Sequence, residues 1–187
     1  LQRPGSVGRA MDGCRVRILD REGQELPPGE VGEIYMLPAT GPGSTFSYRG
    51  AERRVTADGW ESVGDMGWLD AEGYLFIADR RTDMILCGGR NIYPAEIEAA
   101  LNAHPAVRSS VVIGLPDDDL GQRIHAIVET HGVTDEALRA HLKERLVPYK
   151  WPHSFEYTGT PLFNEAGKVR RSALREERLQ KASLRPA

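Results

Sequence analysis

The stretch DRRTDMILCGGRNIYPAEIE, Asp79–Glu98, places a charged turn, a short apolar run, two glycines and a helix start within twenty residues. Pro94 suits the first turn of a helix, where its missing N–H costs little. Ile97, Ala100 and Leu101 then fall on one helical face. Glu96 and Glu98 lie in the first turn, where the helix dipole favours acids. Gly88-Gly89 leaves the backbone bare for a ligand or makes a β-turn, and the residues alone allow both. The pair is no Walker loop, because spaced glycines and a Lys-Ser/Thr are absent, and it is no dinucleotide fingerprint. The charged ADRRTD, Ala78–Asp83, ends the strand-like sequence before it and fits a hinge between two lobes.

Upstream, the chain reads as β-structure. CRVRILD, Cys14–Asp20, alternates, with Val16 and Ile18 on one face and Arg15 and Arg17 on the other. REGQELPPGE, Arg21–Glu30, is rich in turn formers, and VGEIYML, Val31–Leu37, reads as the returning strand. Pro38–Gly50 carries too much Gly, Pro and Ser for regular structure and is expected to be a loop. Trp60–Asp79 reads as two short strands around a turn at Asp70–Gly73. These elements predict a small antiparallel sheet or barrel over residues 1–80.

Downstream, helix and strand alternate. Ser109–Leu115 and Arg123–Glu129 read as strands, and Ser154–Gly159 as a third. Thr134–Leu146 reads as a helix capped by Thr134 or Asp135, with Leu138, Leu142 and Leu146 as its stripe. Lys168–Gln180 reads as a final, mostly basic helix. The expected fold class is α+β: the antiparallel subdomain, then an α/β lobe over 81–187 with a three-stranded sheet and flanking helices.

Composition excludes several classes. Of 187 residues, 40% are hydrophobic and 27% charged, which argues against disorder, and a net charge of −3 gives no general attraction to nucleic acid. No apolar run approaches the roughly 20 residues of a spanning helix. Cys14 and Cys87 are far apart and read as reduced thiols of a cytoplasmic protein. His104, His125, His131, His141 and His153 lack ligand spacing, so no metal site is expected in this chain. The opening LQRPGSVGR has no methionine, which points to a natural start further upstream.

Four features could carry chemistry. Asp65, between the glycines of VGDMG, could accept hydrogen bonds from a vicinal diol such as ribose; an acid in a turn is the plainer reading of that residue alone. Arg80 and Arg81 could bind phosphate or ribose hydroxyls, or form a solvated surface pair. Lys168 in NEAGKVRR stands where turn residues present an ammonium just before a helix. The KVRR helix also admits an RNA-binding reading, which Glu176, Glu177 and the lack of stacking aromatics weaken.

The order of the motifs is more specific than any one of them. GSVGRAMDGCRVRILD, ELPPGEVGEIY, DGWESVGDMGWLDAEGYLFIADRRTDMILCGGRNIYPAEIEAAL, HPAVRSSVVIGLPDDDLGQRIHAIV, LVPYKWP and NEAGKVRRSALR follow one another. So arranged, the chain resembles the C-terminal part of the adenylate-forming superfamily, the acyl-CoA synthetases, over nearly its whole length up to Gln180. The resemblance implies the last β-subdomain of a large N-terminal domain, then a mobile C-terminal domain. It implies ATP and CoA as ligands, a carboxylic acid as substrate, and Mg2+ held by residues upstream of this chain. Asp65 matches the acid that binds the ribose hydroxyls of ATP or AMP, and Arg80 the arginine before the hinge that contacts ribose or phosphate. Thr82 falls at the hinge position. Gly88 and Gly89 match the glycines of the pantetheine tunnel. Lys168 matches the catalytic lysine on the reacting carboxylate and α-phosphate.

The chain departs from the family in places. Thr82 stands where many relatives have Asp or Lys, Ser62-Val63 where many have His-Thr, and Leu120 where many place Trp. PLFNEAGK lacks the common Pro-Arg-Thr lead-in. The phosphate-binding loop, the Thr-Glu motif for Mg2+ and the acyl pocket do not occur in this sequence, so the chain alone is expected to be inactive. The resemblance implies a ligase for a fatty, bile-type or aromatic acid. Alternatives are an adenylation domain loading a carrier-protein pantetheine, a luciferase-like enzyme, and a non-catalytic nucleotide-binding module.

Overall fold

Arg17 and Leu19 share one face of the first strand, and Val16 and Ile18 the other, yet Ile18 and Leu19 are both buried. The strand is therefore packed on both faces. Leu19 joins Tyr35 and Trp60 in a small cluster, and the Arg17 guanidinium covers the Trp60 ring at 4.2 Å. In the computed structural model, which describes residues 3–41 and 54–183, this strand is β1 (Arg15–Leu19). It begins an antiparallel meander with β2 (Gly32–Leu37), β3 (Glu61–Leu69) and β4 (Leu75–Arg80), in the order β1-β2-β3-β4. Most of the loop expected at Pro38–Gly50 lies outside the described residues.

Two local devices fix the β3–β4 hairpin. Asp70 Oδ1 accepts the N–H groups of Glu72 and Tyr74, both at 2.9 Å, and these bonds hold its carboxyl below the ordinary range. Trp68 lies opposite Phe76 and stacks on it at 4.0 Å. Gly67 has no room for a side chain: a Cβ there would meet Phe76 O at 2.4 Å.

The chain divides into two compact units, Leu1–Thr82 and Asp83–Ala187. The second unit starts with a hairpin, β5 (Ile85–Cys87) and β6 (Arg90–Ile92), followed by α1 (Pro94–Asn102). Next come the long hairpin β7 (Val107–Asp117) and β8 (Gly121–Thr130), α2 (Asp135–Lys143), a 3-10 turn at Pro148–Lys150, β9 (Ser154–Thr158) and α3 (Arg171–Ser183). The three expected strands are present, and the β5–β6 hairpin joins them, so the sheet has five. Its order is β6-β5-β8-β7, with β9 parallel to β8.

Alternation along β7 and β8 builds two cores. Val112, Ile124, Ala126 and Val128 face α1 and α2, where Ile97, Leu101, Leu138 and Leu142 are buried. Val111, Ile113, Leu115 and Ile127 face the other way, against Val169 and Leu174. A strand buried on both faces reads as a continuous apolar run, which is the pattern of SSVVIGL. Truncating Leu138 to Ala removes about 2–5 kcal/mol of stability by the usual cavity cost.

Helix ends follow local chemistry. Thr134 Oγ1 caps α2 by accepting the Ala137 N–H at 3.2 Å. The last helix starts at Arg171 rather than Lys168. Asn164 closes residues 164–168 into a loop, so Lys168 precedes the helix. Cys14 and Cys87 are free thiols. No helix among the described residues is long and apolar enough to cross a membrane.

Candidate functional site

The first unit brings two candidate residues together. In the β3–β4 register Asp65 lies directly opposite Arg80. Asp65 is half-buried and Arg80 exposed. Burial pushes the Asp65 carboxyl up, the Arg80 charge pulls it down, and Asp79 pushes it up again. The result is a carboxyl above its ordinary range beside a guanidinium. That pair offers a diol two acceptor oxygens and offers a phosphate one cation. Gly64, at φ 79°, turns the backbone just before Asp65, and its carbonyl accepts the Arg81 N–H at 3.0 Å.

The arginine after Arg80 does something the sequence reading missed. Glu33, buried on β2, accepts from Ser62 Oγ at 2.5 Å and Arg54 Nη1 at 2.5 Å, and its carboxylate lies 3.2 Å from Arg81 Nε. Arg81 is thus tied to a buried acid although its own side chain, like that of Arg80, is exposed. A signal existed: Glu33 is a charged residue in a strand that is otherwise apolar, GEIYML.

The second unit places Gly88 and Gly89 as the two-residue loop of the β5–β6 hairpin, with φ 55° and 74°. Positive φ at both central residues is the requirement of a type I′ hairpin turn. Gly88 N–H donates to Leu120 O at 2.9 Å, and a Cβ on Gly88 would meet Leu120 Cδ2 at 3.4 Å. A Cβ on Gly89 would meet nothing within 4 Å. Of the two alternatives in the sequence, the glycines form the β-turn.

Lys168 is exposed and ends a pinned loop. Asn164 Oδ1 accepts the N–H groups of Ala166 at 3.0 Å and Lys168 at 2.9 Å. The Asn164 N–H donates to Lys168 O at 3.0 Å, and Gly167 has φ 67°. The next residue, Val169, packs into the apolar cluster of Val111 and Ile113. The main chain at Lys168 is fixed, and its ammonium is presented to solvent.

A second ionic cluster follows Lys168 and was not read from sequence. Arg171 binds both carboxylate oxygens of Glu98, at 2.8 and 2.7 Å, and Asp83 Oδ2 at 3.0 Å. Its signal is Glu98 itself, on the buried stripe Pro94, Ile97, Glu98, Leu101 of α1. An acid on such a stripe demands a partner. Among the described residues no three His, Cys, Asp or Glu are grouped as metal ligands.

Residues 96–162 match the AMP-binding enzyme C-terminal domain. The chain is 42% identical over 176 residues to 2-succinylbenzoate–CoA ligase of Bacillus velezensis, covering 93% of this chain and 36% of that protein. It is 38% identical over 177 residues to the fatty acid–[acyl-carrier-protein] ligase ScoC of Streptomyces coeruleorubidus, covering 91% and 34%. The o-succinylbenzoate CoA synthetase of Bacillus subtilis, solved with its acyl-adenylate intermediate, superposes with a TM-score of 0.79 at 38% identity, over 92% of this chain and 36% of that one. The chain spans about a third of the length of the curated relatives it matches.

Proposed function

We propose that the chain, whose residues 96–162 match the AMP-binding enzyme C-terminal domain, serves an ATP-dependent carboxylic acid–CoA ligase. In the first step a carboxylate oxygen attacks the α-phosphorus of ATP. A new P–O bond forms, the bond to the bridging oxygen breaks, and pyrophosphate leaves. In the second step the CoA thiol attacks the acyl carbon, giving the thioester and AMP.

The observation that carries this reading is the presentation of Lys168, with its backbone pinned to Asn164 and its ammonium exposed. The first step brings one anion against another, so a positioned cation stabilises the charge that develops. Asp65 and Arg80 hold the ribose and phosphate side of the nucleotide. Thr82, the last residue of the first unit, is the pivot, and the Gly88-Gly89 turn lines the pantetheine path. Rotation at Thr82 moves Lys168 away before CoA attacks, so Lys168 serves the first step only. Among the described residues no group of three His, Cys, Asp or Glu could hold magnesium.

The substrate is a fatty or aromatic acid, and similarity to ligases of both kinds supports that class. A second reading places the thiol on a carrier protein, because one relative of comparable similarity acts on an acyl-carrier-protein. The two acceptors end in the same pantetheine. The test is acid-dependent pyrophosphate release by the full-length protein across acetate, medium-chain, long-chain, aromatic and steroid acids, with CoA or a carrier protein as acceptor. Release with CoA consumption, lost in Lys168→Ala, supports the ligase. Release without CoA consumption moves the acceptor to the carrier, and no release with any acid overturns the reading in favour of a binding module.

A further inference from the structure

From the contacts of its guanidinium we infer that Arg171 is a positioning residue for Lys168, locking the lysine-bearing loop to the first residue of the second unit. This rests on the ligase reading for its catalytic meaning, though its structural content stands apart from it.

Arg171 opens α3, three residues after Lys168. One side of its fork takes Glu98 of α1 through both oxygens, and the other takes Asp83, which follows the Thr82 pivot. These partners lie 73 and 88 residues away in the chain. All three side chains are largely enclosed, at 18% exposure for Arg171, 11% for Glu98 and 21% for Asp83. Glu98 is itself anchored, because its Oε1 accepts the outward N–H of Val112 on edge strand β7 at 2.8 Å. Arg171 therefore joins α1, β7 and the start of the unit to the start of α3.

Three constraints then converge on Lys168. The Asn164 loop fixes it from before, Val169 is seated in the apolar cluster after it, and Arg171 fixes the helix that follows. Its Nη2 takes both oxygens of Glu98 while its Nη1 reaches Asp83, so two nitrogens of one rigid group serve two carboxylates. A lysine ammonium has the charge but not that geometry. When Thr82 turns, Asp83 moves with the second unit, and Arg171 makes the α3 start and Lys168 move with it as one body. Without the fork one of the three constraints on Lys168 is lost, and small misplacements of a charge-stabilising group are costly.

The test uses the full-length protein with Arg171→Lys and, as a variant that keeps the Val112 acceptor, Glu98→Gln. Three quantities are read: acid-dependent ATP–pyrophosphate exchange, thioester formation from preformed acyl-adenylate, and amide hydrogen exchange. The expected result is pyrophosphate exchange slowed at least roughly tenfold, with thioester formation within about threefold of wild type. Amides at 164–168 exchange faster while those of β8 do not. Equal loss of both half-reactions with faster exchange in β8 would reduce Arg171 to a general stability residue and overturn the proposal. So would unchanged amide exchange at 164–168. If the wild type activates no acid, the ligase reading fails, and amide exchange at 164–168 alone decides whether Arg171 holds the loop.

Discussion

Asp65 and Arg80 are cross-strand partners: the antiparallel register of β3 and β4 sets the acid directly opposite the base. Opposed residues share a face of the sheet, so a ligand reaching one meets the other. The pair is nonetheless no simple ion pair, since burial outweighs Arg80 and leaves the Asp65 carboxyl above its ordinary range.

Asp65→Asn should weaken nucleotide binding while stabilising the fold near neutral pH. An acid whose folded pKa is raised binds its proton more tightly when folded. Stability therefore falls as pH rises through the interval between the unfolded and folded values. The substitution removes that loss. Melting temperatures of the two proteins should differ at pH 7, with the variant higher, and converge below the ordinary Asp range. A lower melting temperature for the variant at pH 7 would contradict the sign.

Lys168→Ala should lower acyl-adenylate formation about 10²–10³-fold, the usual cost of removing one charge-stabilising donor. Thioester formation from preformed adenylate should be retained. Asn164→Ala should produce a weaker version of the same split, because it releases the Lys168 backbone without removing the ammonium. Single-turnover assays of the two half-reactions measure both.

Gly89→Val should separate the half-reactions in the opposite sense. The strain is conformational, since φ is 74° and a Cβ meets nothing nearby. A left-handed conformation costs an L-residue about 1–2 kcal/mol. Chemical denaturation should report that loss, and the CoA-dependent step should slow more than adenylation.

His125 should make the second unit sensitive to mild acid. Its ring is buried, with Nδ1 2.8 Å from Ser154 Oγ and Nε2 3.5 Å from Glu156. Burial holds the pKa below the ordinary value; Glu156 pulls it up, while Arg178 and Arg123 push it down. A depressed folded value means stability is complete above the ordinary His range and is lost as pH falls from about 6.5 through the folded value. Denaturation midpoints between pH 7 and pH 5 should drop in the native protein and drop less in His125→Gln.

The isolated 187-residue chain should show no ATP–pyrophosphate exchange with any acid. The family's phosphate-binding loop does not occur in its sequence, so the leaving pyrophosphate would lack that cradle. Detectable exchange by this chain would require a second phosphate site.

Sequence alone determined whatever depends on neighbours a few residues apart. The turn at Asp70, the Thr134 cap, Pro94 at the start of α1 and the two-faced apolar run of β7 are local, and each was legible from residue type and period. The order of motifs also placed Asp65, Arg80, Thr82, Gly88, Gly89 and Lys168 as candidates. Tertiary structure decided what depends on distant pairing. The short strands β5 and β6 are three residues each, too brief to carry a period, and gain their place through Cys87 meeting Gly121 on β8. The start of α3 lies past Lys168 because the Lys168 carbonyl, which a helix begun there would have used, accepts the Asn164 backbone N–H instead. Arg81 and Arg171 look like surface arginines in the sequence. Each is tied to a buried or largely enclosed glutamate far along the chain, and the free energy of enclosing a charge depends on a partner that only the folded chain supplies.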